Sequence, residues 1–221
     1  GSNPKAPFWQ EIKQGLTYIW ENQTIRRLLV LSLFMEAFGF SHFVMMPVMA
    51  RDVLEVGPVG LGYLSAASGA GSAISTIAVA SLGDFRRKGV LLTVAALSAG
   101  VFLILFALSP WFILSLILVA LAGGTLMAYD VTMATMLQLL SGDNMRGRVL
   151  GVYGLTFGFT PVGGLLAGSV AAIFSASLAV AIGGAIITVY VASLAKHTLG
   201  LASTNPDLPK SDTASEPNGT T

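Results

Sequence analysis

Apolar residues in this chain fall into long, nearly unbroken runs, separated by short knots of charge. Leu28 to Ala50 is the first run, interrupted only by Glu36 and His42. Val59 to Leu82 carries no charge, and Val90 to Leu108 follows after the cluster GDFRRKG. Ser109-Pro110 supplies a break, and Trp111 to Leu140 is a fourth run with Asp130 as its single charge. Val149 to Ala195 has no charged residue at all. A helix crosses the ~30 Å hydrocarbon layer with about 20 apolar residues, so this last run is too long for one span and fits two, with a turn in FSASL (174–178). The pattern predicts an all-α integral membrane protein: a bundle over 27–197 of six transmembrane helices near 27–50, 59–82, 90–108, 111–140, 149–173 and 177–195.

Before the first span, Phe8, Ile12, Leu16, Ile19 and Trp20 recur at helical spacing opposite Gln10, Lys13, Gln14 and Glu21. Residues 1–26 therefore read as a cytoplasmic linker with an amphipathic helix. It either lies on the inner membrane surface, with Trp9 and Trp20 at headgroup level, or packs on cytoplasmic loops. The chain opens on GSNPKAPFW with no methionine and no signal-peptide order, which reads either as added residues or as a start inside a longer protein. Residues 198–221 are polar and rich in Pro, Ser and Thr, the composition of a disordered cytoplasmic tail.

Composition agrees with the pattern. The 221 residues are 54% hydrophobic and 10% charged, with a mean hydropathy of +0.76; a soluble domain carries about 25% charged residues. A net charge of +1 gives no field for nucleic acid, and the absence of cysteine removes disulfides and thiolate metal sites. Basic residues sort by side. With six helices and a cytoplasmic N-terminus, the inner segments hold Lys5, Lys13, Arg26, Arg27, Arg86, Arg87, Lys88, Arg146, Arg148, Lys196 and Lys210, and the outer loops hold Arg51 alone. The positive-inside rule then places both termini in the cytoplasm.

Two acids lie deep in the apolar runs. Glu36 is nine residues past Arg27, about 13 Å into the layer at 1.5 Å per residue; Asp130 lies ten residues before Leu140, at a similar depth. An acid there is costly unless paired or hydrated and usually faces a cavity or a partner. No Lys or Arg of this chain reaches that depth, so each acid is a candidate proton carrier or cation-binding group, or else an acid hydrogen-bonded to a neighbouring helix. Thr125, Tyr129 and Thr132 form a stripe, with Asp130 about 100° round the helix; either the cavity face is broad, or stripe and acid face different neighbours. His42 reads as a structural histidine or a proton relay. Met35, Met45, Met46, Met49, Met127, Met133 and Met136 suit a pliable pocket or lipid-facing filler. Small residues concentrate in SAASGAGSA (65–73) and in Gly154/Gly158 and Gly164/Gly168, which permit close or sliding helix packing. Pro161 predicts a bend in the fifth span. There is no HExxH, GxSxG or P-loop, and two histidines make no metal centre alone, so neither enzyme activity, metal nor cofactor is expected.

The stretches SLGDFRRKG, EIKQGLTYIWENQTIRRLLVLSLF, MLQLLSGDNMRGRVLGVYG and RGRVLGVYGLTFGFTPVGGLLAG together resemble the major facilitator superfamily of transporters, in the drug and siderophore exporter branch that includes macrolide efflux proteins and the enterobactin exporter. The resemblance covers residues ~8–197 as the C-terminal half, helices seven to twelve. In the family's inner-loop motif, Gly-x-x-x-Asp-Arg-x-Gly-Arg-Arg/Lys, Asp84 matches the acid, Ala80 replaces the first Gly, Phe85 replaces the following Arg, and Arg86, Arg87 and Lys88 keep the basic charge in a shifted register. The resemblance implies that Glu36 and Asp130 line a central cavity, with Tyr129, Thr132 and His42 as further proton- or substrate-binding candidates. It implies an inner gate at Asp84, Arg86, Arg87, Lys88, Arg146 and Arg148, where Asp84 contacts the start of a helix in a missing N-terminal half. The chain is thus expected to be half of a secondary transporter of the inner or plasma membrane, exporting a small lipophilic or amphipathic molecule against proton entry. The alternative is a non-transport six-helix scaffold or partner subunit.

Overall fold

The structure, a computed structural model, describes the backbone of residues 8–83 and 87–201 and the side chains of 13–83 and 87–194. Among the described residues the chain is helical throughout, without strands, and six helical segments are long and apolar enough to cross a membrane: Gln23–Val53, Gly57–Ser81, Lys88–Leu108, Phe112–Leu140, Arg146–Ile173 and Ala176–Leu194. The fold class read from the sequence holds.

The first and fifth spans are not continuous α-helices. The first consists of α2 (Gln23–Phe34), a π-helical turn (Met35–Phe40), α3 (His42–Val48) and a second π turn (Met49–Val53). A π turn takes in an extra residue and marks a local departure from α-helical bonding. Here side chains take up carbonyls of that stretch: Ser41 Oγ donates to Phe38 O at 3.1 Å, and His42 Nδ1 bonds Gly39 O at 2.6 Å. Pro47, inside α3, has no N–H to give to the ladder. The fifth span is α7 (Arg146–Thr156), a 3₁₀ turn (Phe157–Phe159) and α8 (Thr160–Ile173). Pro161 stands in the first turn of α8, where its missing N–H costs nothing. The predicted bend is thus a helix that stops and restarts.

The other spans are regular: α4 (Gly57–Ser81), α5 (Lys88–Leu108), α6 (Phe112–Leu140) and α9 (Ala176–Leu201). The chain turns between the fifth and sixth at Phe174 and Ser175, with Phe174 at φ −120°, ψ −86°. Small residues set the regular interfaces. A Cβ on Gly71 of α4 would lie 1.9 Å from the Ala120 carbonyl of α6, and one on Gly100 of α5 would lie 2.8 Å from the Gly184 carbonyl of α9. Backbones that close gain dispersion contacts that larger side chains would forbid.

The amphipathic helix is α1 (Phe8–Glu21). Ile19 is buried, Gly15 lies against Arg148, and Gly142 N–H points to Tyr18 Oη at 3.5 Å. One face of α1 therefore packs on the loop before α7, while Leu16 and Trp20 stay exposed; Trp9 lies outside the described side chains. Met35, Met45, Met46, Met49, Met133 and Met136 are all buried inside the bundle, so they are core, not lipid-facing filler.

Candidate functional site

The interrupted spans meet each other; Glu36 lies where they meet, and Asp130 reaches the fifth of them from α6. Glu36 sits in the first π turn and is 4% exposed. Its Oε2 accepts a hydrogen bond of 2.6 Å from Thr160 Oγ1, the first residue of α8. One turn earlier, Ser32 and Thr156 share a hydroxyl–hydroxyl bond of 2.8 Å. Close approach is permitted by Gly163, whose Cβ, if it had one, would lie 1.7 Å from the Ala37 carbonyl. From the fourth span, Asp130 Oδ1 accepts a hydrogen bond from the Tyr153 phenol of α7. The fifth span thus holds both acids through hydroxyls, one on each side of its 3₁₀ turn.

The two faces of α6 separate as one of the sequence alternatives required. Tyr129 and Thr132 are buried, whereas Asp130 turns to α7 and is only part-buried. Thr132 Oγ1 donates to its own helix at Ala128 O, 2.6 Å, as Thr125 does to Leu121 O; neither hydroxyl is offered to a neighbour. Tyr129 Oη has no hydrogen-bond partner among the described residues, and its ring is 1% exposed. His42 is 2% exposed and held to Gly39 O through Nδ1, with Nε2 unpartnered among the described residues. That bond lies within its own span, the geometry of the structural reading.

No ion pair with Glu36 or Asp130 exists among the described residues. Sequence reasoning missed the hydroxyls that meet the acids. Their signal was available: Tyr153 and Thr160, with Thr156 between them, recur at i, i+3 and i+7, one stripe on one side of a helix. No group of three or more His, Asp or Glu able to hold a metal occurs among the described residues.

At the other end of these helices, Arg87 precedes α5 and Lys88 begins it. Arg146 pairs with Asp143 at 3.0 Å and donates to Gln138 O, and Arg148 donates to Gln14 Oε1 of α1 at 2.8 Å. The structure ties Arg148 to α1 and Arg146 to the loop before α7. Asp84 and Arg86 lie outside the described residues.

Six spans long and apolar enough to cross a membrane, with two acids held by hydroxyls between them, define an all-helical integral membrane protein. Residues 2–219 match the family described as transmembrane secretion effectors, and the chain belongs to that family, a branch of the major facilitator superfamily. It is similar to the enterobactin exporter EntS of Escherichia coli O1:K1 / APEC, 31% identical over 110 residues, which is 50% of this chain and 26% of that protein. It is also similar to the multidrug efflux pump Tap of Mycolicibacterium fortuitum, 26% identical over 162 residues, 72% of this chain and 39% of that protein. The chain thus spans well under half the length of these curated relatives in the regions matched. No solved structure matches it significantly.

Proposed function

We propose that this chain is the C-terminal six-helix half of a secondary exporter, in which Glu36 carries the coupling proton and Asp130 is a second, weaker carrier. The carrying observation is the seam itself: two acids within membrane spans, with no basic partner, each held by a hydroxyl of the same interrupted helix. A carboxyl can take a proton and lose its charge; a hydroxyl can bond either form, donating to the carboxylate or accepting from the acid. Protonation thus alters the seam without leaving an unpaired group in lipid, and alternating access rests on rocking of helices around such a site.

Export of a small lipophilic or amphipathic molecule rests on the names of the relatives and on an apolar groove beside the seam. Leu29, Leu33, Val152, Leu155 and Phe159 line it, with Trp20 and Arg26 at one end. The N-terminal half is a partner supported by the faces left open. Gly147, Gly151, Gly154 and Gly158 are exposed along the fifth span with nothing near them, and α4 exposes Val59, Tyr63, Ile74 and Ile77. Asp84 would meet that half at the inner gate together with the α7 start at Arg146 and Arg148. The excess of basic residues in the inner segments supports a cytoplasmic position for both termini, with the chain in an inner or plasma membrane.

Glu36→Gln in the reconstituted exporter, tested with a lipophilic fluorescent dye, abolishes gradient-driven flux while the protein remains inserted and folded. Normal flux removes Glu36 from the mechanism, and loss of folding favours the scaffold reading. Orientation has its own test, since the chain has no cysteine: cysteines placed at Ser81 and Val56 label from opposite sides of the membrane, Ser81 from the cytoplasm.

A further inference from the structure

The apolar groove beside the seam ends on a cation. Three helical elements wall it: Ile19 of α1, Leu29 and Leu33 of α2, and Val152 and Leu155 of α7, with Phe159 of the 3₁₀ turn that follows. Its volume is about 310 Å³, within the range of ligand clefts. Val30, Leu155 and Phe159 stand exposed along it, so it opens sideways, toward the lipid around a membrane helix. At its end stand Trp20 and Arg26. The Arg26 guanidinium lies over the Trp20 ring, 5.4 Å from its centroid, and donates one N–H to Trp20 O at 2.9 Å. These two contacts hold it in place. Its other N–H groups have no acceptor, and no carboxylate pairs with it, among the described residues. The N-terminal half does not account for this groove. Val152, Leu155 and Phe159 each follow by one position a glycine of the open stripe, Gly151, Gly154 and Gly158, and so lie about 100° away from it round the helix. An apolar trough with a fixed guanidinium at one end, where the first span begins, matches an apolar chain that carries an anionic phosphate head. A guanidinium takes phosphate oxygens in pairs, Trp is favoured at headgroup level, and basic pockets between membrane helices hold acidic lipid heads.

We propose that this groove binds an anionic phospholipid from the leaflet on the side of α1, its phosphate on Arg26 and one acyl chain along Leu29, Leu33, Val152 and Leu155. The inference goes beyond the export reading and names the resident occupant of the groove on which that reading draws; a lipophilic cargo enters by displacing the chain. Thr156, which shares a hydroxyl bond with Ser32 across the seam, also lines the groove. The acyl chain therefore lies against the interface between the first and fifth spans. Arg27, exposed and outside the lining, carries the same charge one position on and takes no part.

The test reads Trp20 fluorescence in the complete transporter, reconstituted in phosphatidylcholine vesicles with no dye and no gradient. Phospholipids brominated on their chains quench a tryptophan that they touch, and the difference between the unsubstituted protein and Trp20→Phe isolates the Trp20 signal. Brominated phosphatidylglycerol quenches it at about fivefold lower mole fraction than brominated phosphatidylcholine, the factor that one basic residue at a membrane surface supplies. Arg26→Gln brings the two lipids level, while Arg27→Gln keeps the preference. Val152→Phe, which fills the groove and leaves both charges, also removes the preference. It decides the matter where Arg26→Gln fails to fold, as read by the Tm in phosphatidylcholine alone. Equal quenching by the two lipids in the unsubstituted protein overturns the proposal. So does an equal loss in Arg27→Gln, the sign of diffuse surface charge, or full preference in Val152→Phe, the sign of a chain lying elsewhere. Millimolar inorganic phosphate leaves the preference unchanged; its loss would make the site one for free anions and overturn the lipid assignment. Flux assays stay separate: absent preference leaves the export reading standing, while normal gradient-driven flux in Glu36→Gln strikes the proton-carrier reading and leaves this site.

Discussion

Two kinds of interface hold this bundle together. Between α4 and α6, and between α5 and α9, uninterrupted helices touch backbone to backbone at Gly71, Gly123, Gly100 and Gly184. Between the first and fifth spans, both helices are broken by π or 3₁₀ turns, and four hydroxyls and carboxyls of Ser32, Glu36, Thr156 and Thr160 bridge them. The first kind has one tight arrangement, because a packed contact has no slack. The second has such a contact too, Gly163 against the Ala37 carbonyl, but adds hydroxyl bonds that can change partner by rotation, between helices already off regular α-helical bonding. Glu36 sits in this second interface, and Asp130 reaches the fifth span from α6 through Tyr153.

Substitutions sharpen that contrast. Gly71→Val has the largest effect on folding: the new side chain would meet the Ala120 carbonyl at its first carbon, and overpacking costs about 1–3 kcal/mol or more. Unfolding of the inserted bundle, followed by loss of its thermal transition, measures it. Ser32→Ala comes next. It removes one interhelical hydroxyl bond, worth about 0.6 kcal/mol in a membrane bundle, and Thr156 keeps its bond to Tyr153 O. A loss as large as that of Gly71→Val would mean that the seam is as rigid as the glycine contacts. Smallest is Gly158→Ala, at a site with nothing within 4 Å. Its effect on this chain is about 0.5 kcal/mol in either direction, while association with the N-terminal half, read by co-purification, falls.

The two interfaces also differ in how far the sequence reveals them. The six spans are legible because apolar runs of about 20 residues have few other uses, and Glu36 and Asp130 stand out as charges within such runs. The small-residue stretch 65–73 announces a close contact, although not which carbonyl Gly71 meets. The seam is less legible. Nothing in MEAFGF (35–40) signals a π turn, since the run is apolar on both sides of it and its hydrogen bonds depend on what packs alongside. Tyr153, Thr156 and Thr160 are ordinary residues in a membrane helix, and only their common stripe hints at a role. That Thr160 meets Glu36 and Thr156 meets Ser32 follows from the approach of two distant spans at Gly163 and Ala37, a fact of tertiary structure. Methionine burial was ambiguous for the same reason: a flexible apolar side chain satisfies both lipid and core.

The central claim is that the carboxyl of Glu36 couples proton movement to export. Its most direct measurement compares two fluxes of one lipophilic dye in vesicles containing the complete transporter with Glu36→Gln. One is efflux driven by a pH gradient, and the other is dye–dye exchange with no gradient. The account predicts that gradient-driven efflux disappears while exchange persists, because the seam still rearranges but no longer releases a proton. Gradient-driven efflux at the unsubstituted rate would contradict it.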